Sequence, residues 1–190
     1  MTEWLASAGI AVVAASPELP PGVHAIGGRP VSFRRFVAHR GAASVDTDGV
    51  AASVHELHTA LRDCPLELPR LSPIAEDLRA AIDALDRTDD VTDVRAAHVA
   101  FVARLEAALE VARVPEQVLH GDCHPRNLLV TATGLVWNDF EDTCRGPVEW
   151  DQAVMGLADG SPLAAVMREG RALQSRVWPV LLDRYSGSHC

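Results

Sequence analysis

Residues 118–151, VLHGDCHPRNLLVTATGLVWNDFEDTCRGPVEWD, constrain this chain more than any other stretch. Short apolar runs at Val118–Leu119, Leu128–Val130 and Leu135–Trp137 read as strands, being too brief for helices. Between the first two lies a polar insert with His120, Asp122, His124 and Asn127, and after the third come Asp139, Phe140 and Glu141. The turn Thr131-Ala132-Thr133-Gly134 predicts a hairpin, which brings Asn127 and Asp139 to neighbouring strand ends. Loops carried on rigid strands are where polar groups are positioned for chemistry. Phosphoryl transfer needs a group to take or orient the proton of the attacking hydroxyl, and hard oxygen ligands for magnesium. Asp122 suits the first need; Asn127 and Asp139 suit the second.

The spacing His120-x-Asp122-x-x-x-x-Asn127 matches the catalytic loop of protein kinases, and Asp139-Phe140-Glu141 stands where their Asp-Phe-Gly would be. Taken with Gly146-Pro147 and Asp151, the stretch resembles the aminoglycoside phosphotransferase family, the small-molecule branch of the kinase-like fold. The resemblance implies an α+β, protein-kinase-like chain with a mostly helical C-lobe and a partial N-lobe β-hairpin. It implies Asp122 as catalytic base, Asn127 and Asp139 on Mg2+, and Asp151 at a helix start bracing the catalytic loop. ATP is the implied phosphate donor. His120 reads as a loop-bracing histidine, and His124 stands between structural support and substrate contact. A zinc site built on His120, Asp122, Cys123 and His124 is the metal alternative, weakened by the absence of a second Cys/His pair nearby.

With 190 residues, 48 % of them apolar, the chain suits one domain or a small two-lobed one with a proper core. A formal charge of −9 argues against nucleic acid as a partner and hints at a cationic acceptor. All seventeen basic residues are arginine. The kinase-like fold uses a strand lysine to hold the α- and β-phosphates, and this chain supplies none. The cysteines Cys64, Cys123, Cys144 and Cys190 lack CxxC spacing and read as free thiols. The first residues lack a basic run, Ile10–Ala15 is short for a signal core, and no stretch approaches a membrane span. A cytoplasmic location is expected.

Along the chain, residues 3–8 predict the last turns of a helix with Gly9 as its cap, and Ile10–Val13 a short strand. Val23–Ile26 and Val31–Val37 predict two strands joined through Gly27-Gly28-Arg29-Pro30. The resemblance makes these the last strands of the N-lobe, with the hinge near Phe36–Gly41, where Phe36 and Val37 would meet the adenine edge. The family's phosphate-covering loop and lysine strand have no counterpart ahead of them, so the resemblance covers roughly residues 3–160. The expected division is a partial N-lobe over 1–38 and a helical C-lobe over 39–190.

Helices are expected over 46–62, with Val50, Val54, Leu57 and Leu61 buried and His58 beside them, and from Ser72-Pro73 through Ile74, Leu78, Ile82 and Leu85, with Ser72 as N-cap. The acidic run Asp83, Asp86, Asp89, Asp90 and Asp93 reads as a solvated face. A long helix follows over 92–113 on Val94, Phe101, Leu105 and Leu109. Gln152–Ala158 and Leu163–Arg184 end the chain, the latter interrupted near Pro179, with Arg168, Glu169 and Arg171 on a solvated face and Ser186–Cys190 a frayed tail.

The sequence thus predicts transfer of the ATP γ-phosphate to a hydroxyl of a small molecule, with Arg145 or Arg126 offsetting phosphate charge. Its rivals are a catalytically impaired or truncated kinase-like remnant or binding domain, and a zinc hydrolase.

Overall fold

The computed structural model describes residues 1–40, 47–84, 89–157 and 160–187, so the expectations for Gly41, Leu85, Asp86, Ala158 and Cys190 lie outside the described residues. The chain divides into two compact units, one of residues 1–66 with 124–140, the other of 67–123 with 141–190.

The first unit opens with α1 (Thr2–Ser7), closed by the N–H groups of Gly9 and Ile10 on the carbonyls of Ala6 and Leu5. Strands β1 (Val23–Ile26) and β2 (Arg29–Ser32) pair antiparallel with Ile26 opposite Arg29. The turn is therefore Gly27-Gly28 alone. Both glycines have positive φ, 58° and 76°, as a two-residue hairpin of the strands' own twist requires. Arg29 and Pro30, expected in the turn, lie in β2, and the strand stops at Ser32 instead of reaching Val37. Among the described residues β2 pairs with β1 alone, which leaves Pro30 on an open-edged strand that tolerates it. Ile10–Val13 forms one bridge, Val12 to Trp137, in place of a strand.

The amphipathic helix α2 (Thr47–Arg62) buries Val54, Leu57, His58 and Leu61. Strands β4 (Leu128–Thr131) and β5 (Gly134–Trp137) form the expected hairpin, and Thr131 Oγ1 closes its turn by donating to Gly134 O at 2.8 Å. That hairpin joins the N-terminal segment because Trp137 is held from three sides. Val13 N–H donates to its carbonyl at 2.8 Å, its own N–H donates to Ala11 O at 2.9 Å, and its indole donates to Ser53 Oγ at 3.0 Å. Arg40 N–H adds a bond to Val130 O at 2.8 Å. For this reason the contacts do not divide the chain at residue 38.

The second unit is helical. A π-turn over Pro73–Asp77 leads into α3 (Leu78–Ala84), followed by α4 (Asp89–Ala112). Ser72 stands at the N-cap position ahead of Pro73, but it is buried, has helical φ and ψ, and makes no side-chain cap bond. Buried His98 donates Nε2–H to Ile74 O at 2.8 Å, satisfying a carbonyl of the π-turn. Short strands β3 (Gln117–Leu119) and β6 (Cys144–Gly146) pair antiparallel. The chain then forms α5 (Glu149–Met155) and α6 (Pro162–Gly187). No break occurs at Pro179, since one missing backbone donor leaves the flanking bonds of a long helix in place.

The core of this unit packs Ile74, Leu78 and Ile82 against Phe101 and Leu105 of α4, Trp150 of α5 and Met167 of α6. α4 and α6 approach closely where Gly170 faces Phe101. A Cβ on Gly170 would lie 2.5 Å from Phe101 Cζ. Helix propensity favours alanine there by ~1 kcal/mol, but overpacking a fully buried ring costs ~1–3 kcal/mol. Gly170→Ala is therefore expected to lower stability by about 1 kcal/mol in urea denaturation, opposite in sign to the propensity effect.

Candidate active site

In the helical unit, β3 ends at Leu119 and delivers His120, Gly121 and Asp122. Asp151, in the first turn of α5, is fully buried. Its Oδ2 accepts from His120 N–H at 2.9 Å and its Oδ1 from Gly121 N–H at 3.0 Å. The Trp150 indole donates to Gly121 O at 2.6 Å, so two consecutive residues of α5 hold both polar groups of the Gly121 backbone. A buried carboxylate is tolerated where charge-assisted hydrogen bonds replace its water. Gly121 has φ 87°, and a Cβ there would fall 1.8 Å from Asp142 O. Only glycine fits between the strand end and that carbonyl.

Asp122 follows directly, with 22 % of its side chain exposed. Its Oδ1 is buried and lies 3.0 Å from Nη1 of Arg171 on α6, an ion pair without aligned hydrogen-bond geometry. The same Nη1 donates to Oε1 of Gln174 at 2.7 Å. Arg171 is thus no member of a solvated face, whereas Glu169 pairs with Arg104 on exposed surface. Cys123 and Cys144 are buried; burial first, then the Asp151 charge, pushes both thiols well above their ordinary range. Arg145 is exposed on β6 and donates from its side chain to Glu116 O at 3.3 Å.

In the other unit, His124 caps a 3₁₀ turn over Pro125–Asn127, with Nδ1 accepting from Arg126 N–H at 3.1 Å. Asn127 is buried, and its carbonyl accepts from Asn138 N–H at 2.9 Å. Leu128 pairs with Trp137, so Asn127 precedes β4 and Asp139 follows β5 at one end of the hairpin. Asp139 is exposed and left-handed, with φ 62°. Aspartate tolerates that region better than most side chains, at a cost of order 1 kcal/mol, and such strain clusters at functional positions. An amide and a carboxylate at one strand end are hard donors of the kind magnesium takes. Phe36 is 87 % exposed and Val37 half-buried, in a segment without regular structure.

The HGDCH zinc reading finds no support: among the described residues, no three His, Cys, Asp or Glu side chains are gathered to share a metal. A concavity of about 1000 Å³ lies in the first unit, beside Thr2, Ile10, Ala14, Pro21 and Phe33. Only Glu3 and Arg34 in its lining are charged, and it includes none of Asp122, Asn127 and Asp139. Sequence reasoning missed Arg171, Gln174 and Trp150 as parts of this region. A signal was available for the first two: Ala164, Met167, Arg171, Gln174 and Val177 recur at helical spacing on the buried side of α6.

The protein-family model APH, described as phosphotransferase enzyme family, matches residues 1–182. No curated protein sequence matches the chain. Among solved structures, choline kinase LicA from Streptococcus pneumoniae superposes with a TM-score of 0.68 at 17 % identity, over 97 % of this chain and 71 % of that one. A choline/ethanolamine kinase family protein from Mesorhizobium loti gives 0.58 at 15 % identity, over 94 % and 68 %. The GDP complex of aminoglycoside 2'-phosphotransferase-IIIa gives 0.51 at 17 % identity, over 99 % and 74 %. A further LicA structure contains AMP. These likenesses establish the kinase-like fold. Among the described residues, no helix is long and apolar enough to cross a membrane.

Two expectations follow from the geometry. Asp151→Ala leaves the His120 and Gly121 N–H groups without their acceptor and should cost ~2–4 kcal/mol in urea denaturation, since each stranded buried donor costs ~1–3 kcal/mol. Iodoacetamide at mildly alkaline pH should leave Cys123 and Cys144 unlabelled in the folded chain and label both in urea, read by peptide mass spectrometry.

Proposed function

Because this chain belongs to the phosphotransferase enzyme family, we propose that it transfers the γ-phosphate of ATP to a hydroxyl of a small molecule. The observation that carries the reading is the β4–β5 hairpin, which holds Asn127 and a conformationally strained Asp139 at one end. Strain of that kind persists where the surrounding structure over-determines it.

In this reading Asp122 takes the proton of the attacking hydroxyl. The new bond forms between the acceptor oxygen and the γ-phosphorus as the bond to the β-phosphate oxygen breaks, and ADP leaves with the electron pair. Asn127 and Asp139 would hold magnesium, which would supply positive charge against the phosphates. Asp151 fixes the backbone on which Asp122 stands, and Phe36 and Val37 flank the adenine. The nucleotides present in the structural neighbours, AMP and GDP, support a nucleoside triphosphate donor, and a cytoplasmic reaction is part of the same reading. Choline kinase among those neighbours keeps a small alcohol in view as acceptor. A second reading, a nucleotide-binding domain without turnover, is favoured by the complete absence of lysine, because losing one preorganised charge stabiliser costs ~10²–10³ in rate.

Transfer of labelled γ-phosphate to choline, kanamycin and homoserine, alongside ATP titration with and without magnesium, separates the two. Asp122→Ala should lower transfer ~10²–10⁴-fold and leave nucleotide affinity unchanged. Unchanged turnover in that variant would overturn the base assignment, and magnesium-dependent binding with no transfer to any acceptor would favour the second reading.

A further inference from the structure

We infer that Arg171 and Gln174 form a positioning device on α6 that sets the orientation of the Asp122 carboxylate. The inference rests on Asp122 being the base. One oxygen of that carboxylate, Oδ1, is buried 3.0 Å from Arg171 Nη1, so the exposed part of the side chain lies away from it. A base must present one oxygen to the incoming hydroxyl and have the other held. Arg171 does the holding.

The guanidinium is itself fixed. Its Nη1 donates to Gln174 Oε1 at 2.7 Å, and Gln174 is 2 % exposed, three residues further along the same helix. A buried amide on the apolar side of a helix is costly unless it is bonded, and its oxygen is spent on Arg171. Arg171 is only a quarter exposed, and the planar head cannot rotate without giving up one of the two contacts. The chain of contacts runs Gln174, Arg171, Asp122, and all three lie in one compact unit. The pair has a second effect. Cys123 feels the charges of both Asp122 and Asp151, so two carboxylates bear on the same short stretch, and the Arg171 cation offsets that of Asp122.

The test uses the full chain with MgATP and water as acceptor, measuring phosphate release at steady state. Arg171→Met should lower kcat ~10–100-fold, the usual loss for a supporting partner, with KM for MgATP unchanged, and Arg171→Lys should restore most of it. Gln174→Leu should give a smaller loss in the same parameter. In an Asp122→Asn background Arg171→Met should cost nothing further, since the two act as a unit. Circular dichroism melts identify any variant that fails to fold, and Arg171→Lys then stands in for Arg171→Met with a kcat loss still expected. An equal loss from Arg171→Met in both backgrounds, a loss confined to KM, or full kcat in Arg171→Met while Asp122→Asn is inactive overturns the inference and leaves the base assignment intact. Full activity in Asp122→Asn overturns the base assignment, and this inference with it.

Discussion

The carboxylate of Asp151 is the constraint on which the HGD segment depends. A strand end followed by a tight turn has backbone N–H groups with no ladder partner, and burying them unpaired would cost more than the local fold returns. One fully buried side chain takes two of them, from His120 and Gly121. The next residue back, Trp150, takes the Gly121 carbonyl. Helix α5 therefore functions as a template for the chain path that leads into Asp122.

Much of this was legible beforehand. The three apolar runs gave the strands of the motif, and the Thr-Ala-Thr-Gly turn gave the hairpin. Helical periodicity located α2 and α4 to within a few residues, because each has an apolar stripe that a core can bury. What failed were features decided by tertiary contacts. Ser72-Pro73 does start a helical segment, but no side-chain cap bond forms there and the chain winds into a π-turn whose Ile74 carbonyl is taken by His98. Pro179 has the letters of a break, yet α6 continues through it. The bonds of Trp137 to residues 11–13 and to Ser53 are likewise pairings between distant segments that no local pattern announces.

The motif residues could be singled out in the sequence, Asp151 among them as the brace of the loop, whereas Arg171 and Trp150 could not. Asp122, Asn127, Asp139 and Asp151 stand out because their spacing is regular and their chemistry coherent. Arg171 looked like one more charge on a surface helix. Its position on the Met167–Gln174–Val177 side of α6 was the only clue, and an arginine there has a reason to be inside only if a carboxylate waits for it.

The packing around Gly121 bears on how this lineage can be read over evolutionary time. A methyl group at that position would collide with the Asp142 carbonyl whether or not the molecule turns anything over. Selection for a folded chain alone would therefore preserve Gly121 and the Trp150-Asp151 pair in descendants that have gone silent. A sequence survey that scores activity by those letters would count the silent ones as living enzymes; positions 127 and 139, which the same packing does not guard, are where decay would first be visible.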